Sequence, residues 1–164
     1  MSQSQPSFQL PQPGPEHAVF QKDVGTWEAQ VEVRPGPGAA PQRSQGTMVG
    51  RLTCGGRWLV TEYKNETSGF EGHGIYGWDP AKQKYVGTWV DNMRTTLVLA
   101  EGTWDAETRT MTFWHEMKRP DGGLMRWREV TETRGADTQM FRSFIPLPDG
   151  SEFEMMTITY TRRR

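Results

Sequence analysis

From Arg57 to Tyr160 the chain alternates short β-prone runs with brief clusters of turn-forming residues. The clusters fall at 65–69, 79–82, 105–108, 119–123, 134–137 and 147–150. None is long enough for a crossover helix, so consecutive strands must be antiparallel neighbours. Ahead of them, Trp27, Ala29, Val31 and Val33 alternate with Glu28, Gln30 and Glu32, the period of a half-buried strand over 26–34. Further strands are predicted over 44–53, 57–64, 70–78, 84–91, 95–104, 110–118, 124–133, 138–145 and 152–161. A long meander leaves two exposed edges unless it closes, and an even strand number lets the first strand pair with the last. The pattern therefore predicts an all-β fold: a closed antiparallel up-and-down barrel of about ten strands.

One short helix precedes the strands. Pro15 suits a first helical position, Glu16 favours the positive end and Gly25 suits the stop. Phe20 and Val24 lie one turn apart and can pack on the strands beyond them. Residues 1–14, rich in Gln, Ser and Pro, form an expected disordered arm; residues 15–164 form an expected single domain. The Pro- and Gly-rich stretch 35–41 is the longest connection.

Turn lengths set which residues oppose each other, and parity then identifies the inner face. Across the turn after Asp79, Trp78 should face Tyr85, Tyr76 face Gly87, Gly74 face Trp89 and Gly72 face Asp91, so large side chains meet glycines. Across 119–123, Met117 pairs with Met125, His115 with Trp127, Phe113 with Glu129 and Met111 with Thr131. The same count across 134–137 sets Arg142 opposite Glu129 and Phe144 opposite Trp127, with Ser143 outward. Glu154, Met156, Ile158 and Tyr160 join the inner face across the last hairpin. The expected interior is rich in Met and aromatic residues with a minority of ionisable groups, the make-up of a ligand cavity. A filled barrel with Glu129 and Arg142 as a buried orienting pair is the competing expectation, weakened because desolvation offsets much of such a pair's attraction.

A formal charge of −1 over 164 residues gives no electrostatic reason to expect nucleic acid or an anionic membrane. Arg162, Arg163 and Arg164 form a local basic end, with the last two expected to be solvated. Cys54 is the only cysteine, which excludes an intrachain disulfide and suits a reducing, cytoplasmic setting. No segment reads as a signal peptide or a spanning helix. Of the three histidines, His17 reads as a capping or packing residue and His73 falls on the outer parity. His115 alone combines inward parity with an aromatic neighbour, and Glu129 would raise its pKa while burial would lower it. No histidine pair or cysteine has metal-ligand spacing, so no metal site is expected, and no nucleophile elbow, phosphate loop or dinucleotide fingerprint is present.

The opening Gly25-Thr26-Trp27 after a short helix resembles the Gly-x-Trp opening of lipocalins and other calycins. Across most of the chain, Pro15-Glu-His17, Val24-Gly-Thr-Trp27, Gly55-Gly-Arg-Trp-Leu59, Phe70-Glu-Gly72, Gly77-Trp-Asp79, Lys84-Tyr-Val86, Trp89-Val-Asp91, Glu101-Gly102, Arg128-Glu-Val130 and Ile158-Thr-Tyr-Thr-Arg162 resemble a bacterial calycin-like family of unknown function. The resemblance implies a helix at the closed end, with Trp27 packed there beneath Arg162 of the last strand. It also implies a long first loop, here 35–41, as a flap over the open end. The related nitrobindins hold haem through an axial His. They extend the opening with glycines, where this chain has Glu28-Ala-Gln-Val31, a departure that counts against haem.

These readings converge on binding of a small apolar or amphipathic molecule inside the barrel. Trp89, Phe113, Trp127, Met140 and Phe144 are the expected walls. Arg142, paired with Glu129, is expected to hold a polar head, oriented by Asp91 or His115. The alternatives are a cavity acid–base enzyme of isomerase type using His115 and Glu129, and a haem-binding barrel using His115; the cofactor is left unknown. A filled barrel whose outer face self-associates through Val86, Val90 and Trp114, as a homodimer, is a further option.

Overall fold

The computed structural model describes residues 10–164; the expected disordered arm falls largely on residues 1–9, outside the described residues. Pro15–Ala18 form α1, which tightens into a 3-10 turn over Val19–Asp23. Strands follow as β1 (Gly25–Val33), β2 (Gln42–Thr53), β3 (Trp58–Asn65), β4 (Phe70–Asp79), β5 (Lys84–Asp91), β6 (Val98–Asp105), β7 (Thr110–Lys118), β8 (Leu124–Thr133), β9 (Thr138–Pro146) and β10 (Glu152–Arg162). Each pairs antiparallel with the next, and β1 pairs with β10, closing the sheet into an up-and-down barrel. The fold is the predicted one.

Turn chemistry sets the hairpins. Asp79 Oδ1 accepts from the Ala81 and Lys82 amides, and Asp105 Oδ1 from those of Glu107 and Thr108. Each aspartate thus builds a local turn that ends in a left-handed residue, Gln83 or Arg109, both at φ 53°. Register across β4–β5 and β7–β8 matches the parity count, including Gly72 with Asp91 and His115 with Trp127.

The floor is built by the N-terminal segment. His17 Nδ1 accepts from the Gly14 amide at 3.0 Å, which caps α1. Phe20 descends from the 3-10 turn into the barrel and meets Tyr85 edge-on, ring centroids 5.4 Å apart. Gly50 lets the turn cross, since a Cβ there would lie 2.1 Å from the Asp23 carbonyl oxygen. Trp27, 1 % exposed, donates its indole N–H to that carbonyl at 3.2 Å. The Arg162 guanidinium lies 4.1 Å from the Trp27 ring and donates to the carbonyls of Lys22, Val24 and Ala136. The Trp–Arg pairing at the closed end that the resemblance implies is therefore present.

Aromatic rings occupy the space that glycines leave. Tyr76 lies on Gly87, Trp89 on Gly72 and Phe113 on Gly102, where a Cβ would fall within 2.6 Å of each ring.

The count fails at β9. Arg134 N–H bonds the Thr138 carbonyl at 2.8 Å, Gly135 takes φ 88°, and Thr133 pairs with Gln139. An odd, three-residue loop replaces the even one assumed, and one residue of offset exchanges the two faces. Polar Gln139 is held inward because its amide donates to Asp23 Oδ1 at 3.0 Å and to the Lys22 carbonyl. Gln139, Phe141 and Ser143 therefore face the lumen, while Met140, Arg142 and Phe144 lie on the outer wall, a correction to all three. A bulge between Glu154 and Met156 keeps Met156, Ile158 and Tyr160 inside but turns Glu154 outward, opposite Phe144 and 3.9 Å from Arg34.

Replacing Arg162 with Met keeps the aliphatic stem but removes the ring stacking and the carbonyl contacts. The expected loss is about 2–3 kcal/mol of unfolding free energy, read from urea midpoints at unchanged slope. Arg163→Met, which loses one exposed pairing with Glu28, should shift the midpoint by less than about 0.5 kcal/mol.

Candidate functional site

Strand parity places Trp89 and Asp91 of β5, Phe113 and His115 of β7, and Trp127 and Glu129 of β8 on the inner face, from Asp91 at the end away from α1 down to Phe113, which packs on the cluster beneath the helix. On β5 and on β8 a tryptophan precedes an acid by two residues, so both point the same way. The indole then donates to its own strand's carboxylate: Trp89 Nε1 to Asp91 Oδ2 at 3.0 Å, Trp127 Nε1 to Glu129 Oε1 at 2.9 Å. These bonds hold both rings and both acids in place.

His115, 3 % exposed, stacks on Trp127 with centroids 5.0 Å apart and planes 10° from parallel. Its Nε2 lies 2.8 Å from Glu129 Oε2, off the line of a hydrogen bond, and Nδ1 has no partner. Burial pushes the Glu129 carboxyl up, but the charge and contact of His115, the Trp127 N–H and the charge of Arg94 outweigh it, leaving the group below its ordinary 4.5. Glu129 is thus an ionised acid enclosed by protein. It nevertheless keeps 23 % of its side chain accessible, on the inner face of the sheet.

Tyr76 repeats this combination: deep enclosure raises its phenol far above the ordinary value, with Glu129's charge adding to the rise, yet its side chain is only half-buried. Tyr160, across the lumen, is raised well above ordinary by burial, with Tyr63 and Glu129 adding. The interior therefore has apolar walls around one charged wall.

Arg94 completes the arrangement. It stands in the β5–β6 connection, 37 % exposed, and its Nε lies 3.1 Å from Asp91 Oδ2, a carboxylate 1 % exposed. Asp91 Oδ1 takes the Met93 amide at 3.0 Å, and Arg94 Nη1 approaches Met117 Sδ at 3.7 Å. Sequence reasoning missed Arg94 because a loop residue has no strand parity to aim it. It also missed Ser143, which register sets opposite Glu129. The two same-face Trp-x-acid pairs were visible in the sequence and were the signal to use.

Of the nine predicted site residues, six share this wall. The outer three do other work: Arg142 lies 4.0 Å from Glu132, the Arg128 guanidinium covers Phe144 at 4.3 Å, and Thr159 contacts Met140 Sδ at 3.9 Å. His73 sits on the outer wall 3.2 Å from Glu71. Two grooves on the outer wall hold none of the nine: one of about 290 Å³ beside Gln45, Glu66 and Arg163, and one of about 150 Å³ beside Lys84 and Trp114.

Chemically, the wall can accept hydrogen bonds and stack on a planar ring. Among the described residues no three His, Cys, Asp or Glu side chains gather as a metal site. No helix among them is long and apolar enough to cross a membrane.

A closed ten-strand meander, plugged by a short helix beneath a Trp–Arg stack, defines a calycin-like barrel. The chain belongs to a family described as "Protein of unknown function (DUF1579)", whose pattern matches residues 12–162. No curated protein matches it. Among solved structures it is similar to Rv2717c from M. tuberculosis, with TM-score 0.66 and 11 % identity over 92 % of this chain and 99 % of that one. It is also similar to the S-type phycobiliprotein lyase CPES from Guillardia theta, with TM-score 0.60 and 12 % identity over 93 % and 99 %. At such identities the likeness is one of fold.

The lowered pKa of Glu129 fixes the sign of an acid response. Its stabilising contribution is complete above about pH 4.5 and is lost as pH falls through the lowered folded value. The urea-midpoint gap between the wild type and Glu129→Gln should therefore shrink from pH 7 to about pH 3. A gap that widens toward acid would contradict the assignment.

Proposed function

We propose that the barrel binds a small, mainly apolar or amphipathic molecule in its lumen, against Trp89, Phe113, His115 and Trp127, with Asp91 and Glu129 as polar contacts. The observation that carries this reading is interior accessible surface at Glu129 and Tyr76 beside a buried histidine with no aligned partner. A packed core leaves neither. The similarity in fold to a phycobiliprotein lyase supports a barrel of this kind taking a small molecule. The loop over 35–41 follows β1 at the end away from α1, which is consistent with a flap there. The exposed, unpaired Cys54 is consistent with the cytoplasm.

The acid–base reading needs His115 and Glu129 within about 3 Å of each other, a condition their contact meets. Binding requires less of the site and stands first.

Titration with the neutral dye N-phenyl-1-naphthylamine tests the lumen. The wild type should give saturable fluorescence enhancement, weakened about tenfold by Trp127→Ala and unchanged by Trp114→Ala on the outer wall. Enhancement lost with Trp114 and kept without Trp127 would move binding outside the barrel.

The outer wall supports self-association as a second property. Ile75, Val90, Leu99 and Trp114 are all at least 45 % exposed and lie on the consecutive strands β4 to β7. Sedimentation velocity should show a dimer that Leu99→Lys converts to the 18.7 kDa monomer; a wild type that is strictly monomeric argues against it.

A further inference from the structure

Arg142's place on the outer wall changes what the lumen can recognise. Between the floor and the mouth, the charged side chains that the strands direct inward are Asp91, Glu129 and His115. Arg162 is held in the floor by Trp27 and backbone carbonyls, and its charge is met by Asp137 at 3.4 Å. Lys22 and Asp23 pair with each other there at 2.7 Å. Arg94 reaches in from the mouth but spends its charge on Asp91 at 3.1 Å. The chamber therefore carries no net charge when His115 is protonated and a net negative charge when it is neutral. It is positive in neither state.

An anionic head entering this space would meet Glu129 with no uncommitted cation beside it, and like charges in an enclosed site repel strongly. A donor group meets the reverse. Glu129 uses one contact on each oxygen, from Trp127 N–H and His115 Nε2, and an ionised carboxylate has capacity for more. His115 Nδ1, buried and unpartnered, offers a further polar contact within the same stack. The flat faces of Trp127, Phe113 and Trp89 favour a planar ring behind that head.

We infer that the lumen selects a planar aromatic molecule bearing a neutral or cationic N–H or O–H donor, such as an aromatic amine, and discriminates against carboxylates and phosphates. This rests on the lumen-binding reading above and gives it a ligand class.

Calorimetry with three probes that share a ring tests the inference: 1-naphthylmethylamine, 1-naphthalenemethanol and 1-naphthoate, at pH 7.4 and low salt. The ammonium and the alcohol should each bind at least about tenfold tighter than the carboxylate. Glu129→Gln should remove the ammonium's advantage over the alcohol. Because that variant disturbs a buried pair, Arg94→Gln serves as the second arm: it removes a half-exposed cation and should widen the preference for ammonium over carboxylate. Naphthoate binding as tightly as the ammonium, or wild-type naphthoate binding lost in Arg94→Gln, would overturn the donor assignment while leaving the lumen reading intact. Failure of all three probes together with the neutral dye would overturn both.

Discussion

The ladder between β1 and β10 is the constraint on which the rest depends. Trp27 pairs with Arg162 in that ladder, and the same two residues stack at the floor. Closure removes the free edges that a ten-strand sheet would otherwise expose. It also divides every strand into an inner and an outer row. The Arg162 guanidinium then links the last strand to the 3-10 turn and to the β8–β9 connection through three backbone carbonyls. A planar five-donor group can serve stacking and several carbonyls at once, which an ammonium cannot.

Within the closed sheet the interior is uneven. Trp27, Ala29, Val31, Met48, Tyr63, Ile158 and Tyr160 pack as an apolar cluster on the side of β1, β2, β3 and β10. Phe20, Leu59, Tyr85 and Met111 pack beneath the helix. The polar groups collect on the facing wall, β5 and β7 to β9. The two Trp-x-acid pairs hold that wall in one geometry, each indole donating to the acid two residues on. Glycines on the neighbouring strands make room for the rings. Site and scaffold are therefore made of the same side chains.

Much of this was legible beforehand. The turn cluster at Asp79 gave the correct register because the aspartate side chain builds the turn by itself. The meeting of His115, Trp127 and Glu129 followed from the β7–β8 register alone. The three misplaced site residues came from one hairpin, while Glu154 was turned outward by the bulge in β10. The 134–137 stretch has no aspartate at its start, and hydropathy favoured putting Met140 and Phe144 inside. The winning arrangement buries Gln139 instead, because Asp23, some 116 residues away, supplies its partner.

The amino-acid order by itself determined the strand count, the closed meander and the aromatic row of β5, β7 and β8. Those features arise from local alternation and turn chemistry, which act over a few residues. Only the tertiary structure decided which face of β9 looks inward, that Arg94 bends over Asp91, and that Ser143 stands opposite Glu129 where an arginine was expected. Each depends on a partner far along the chain or on a loop without periodicity, and a buried polar group goes wherever its hydrogen bonds can be met.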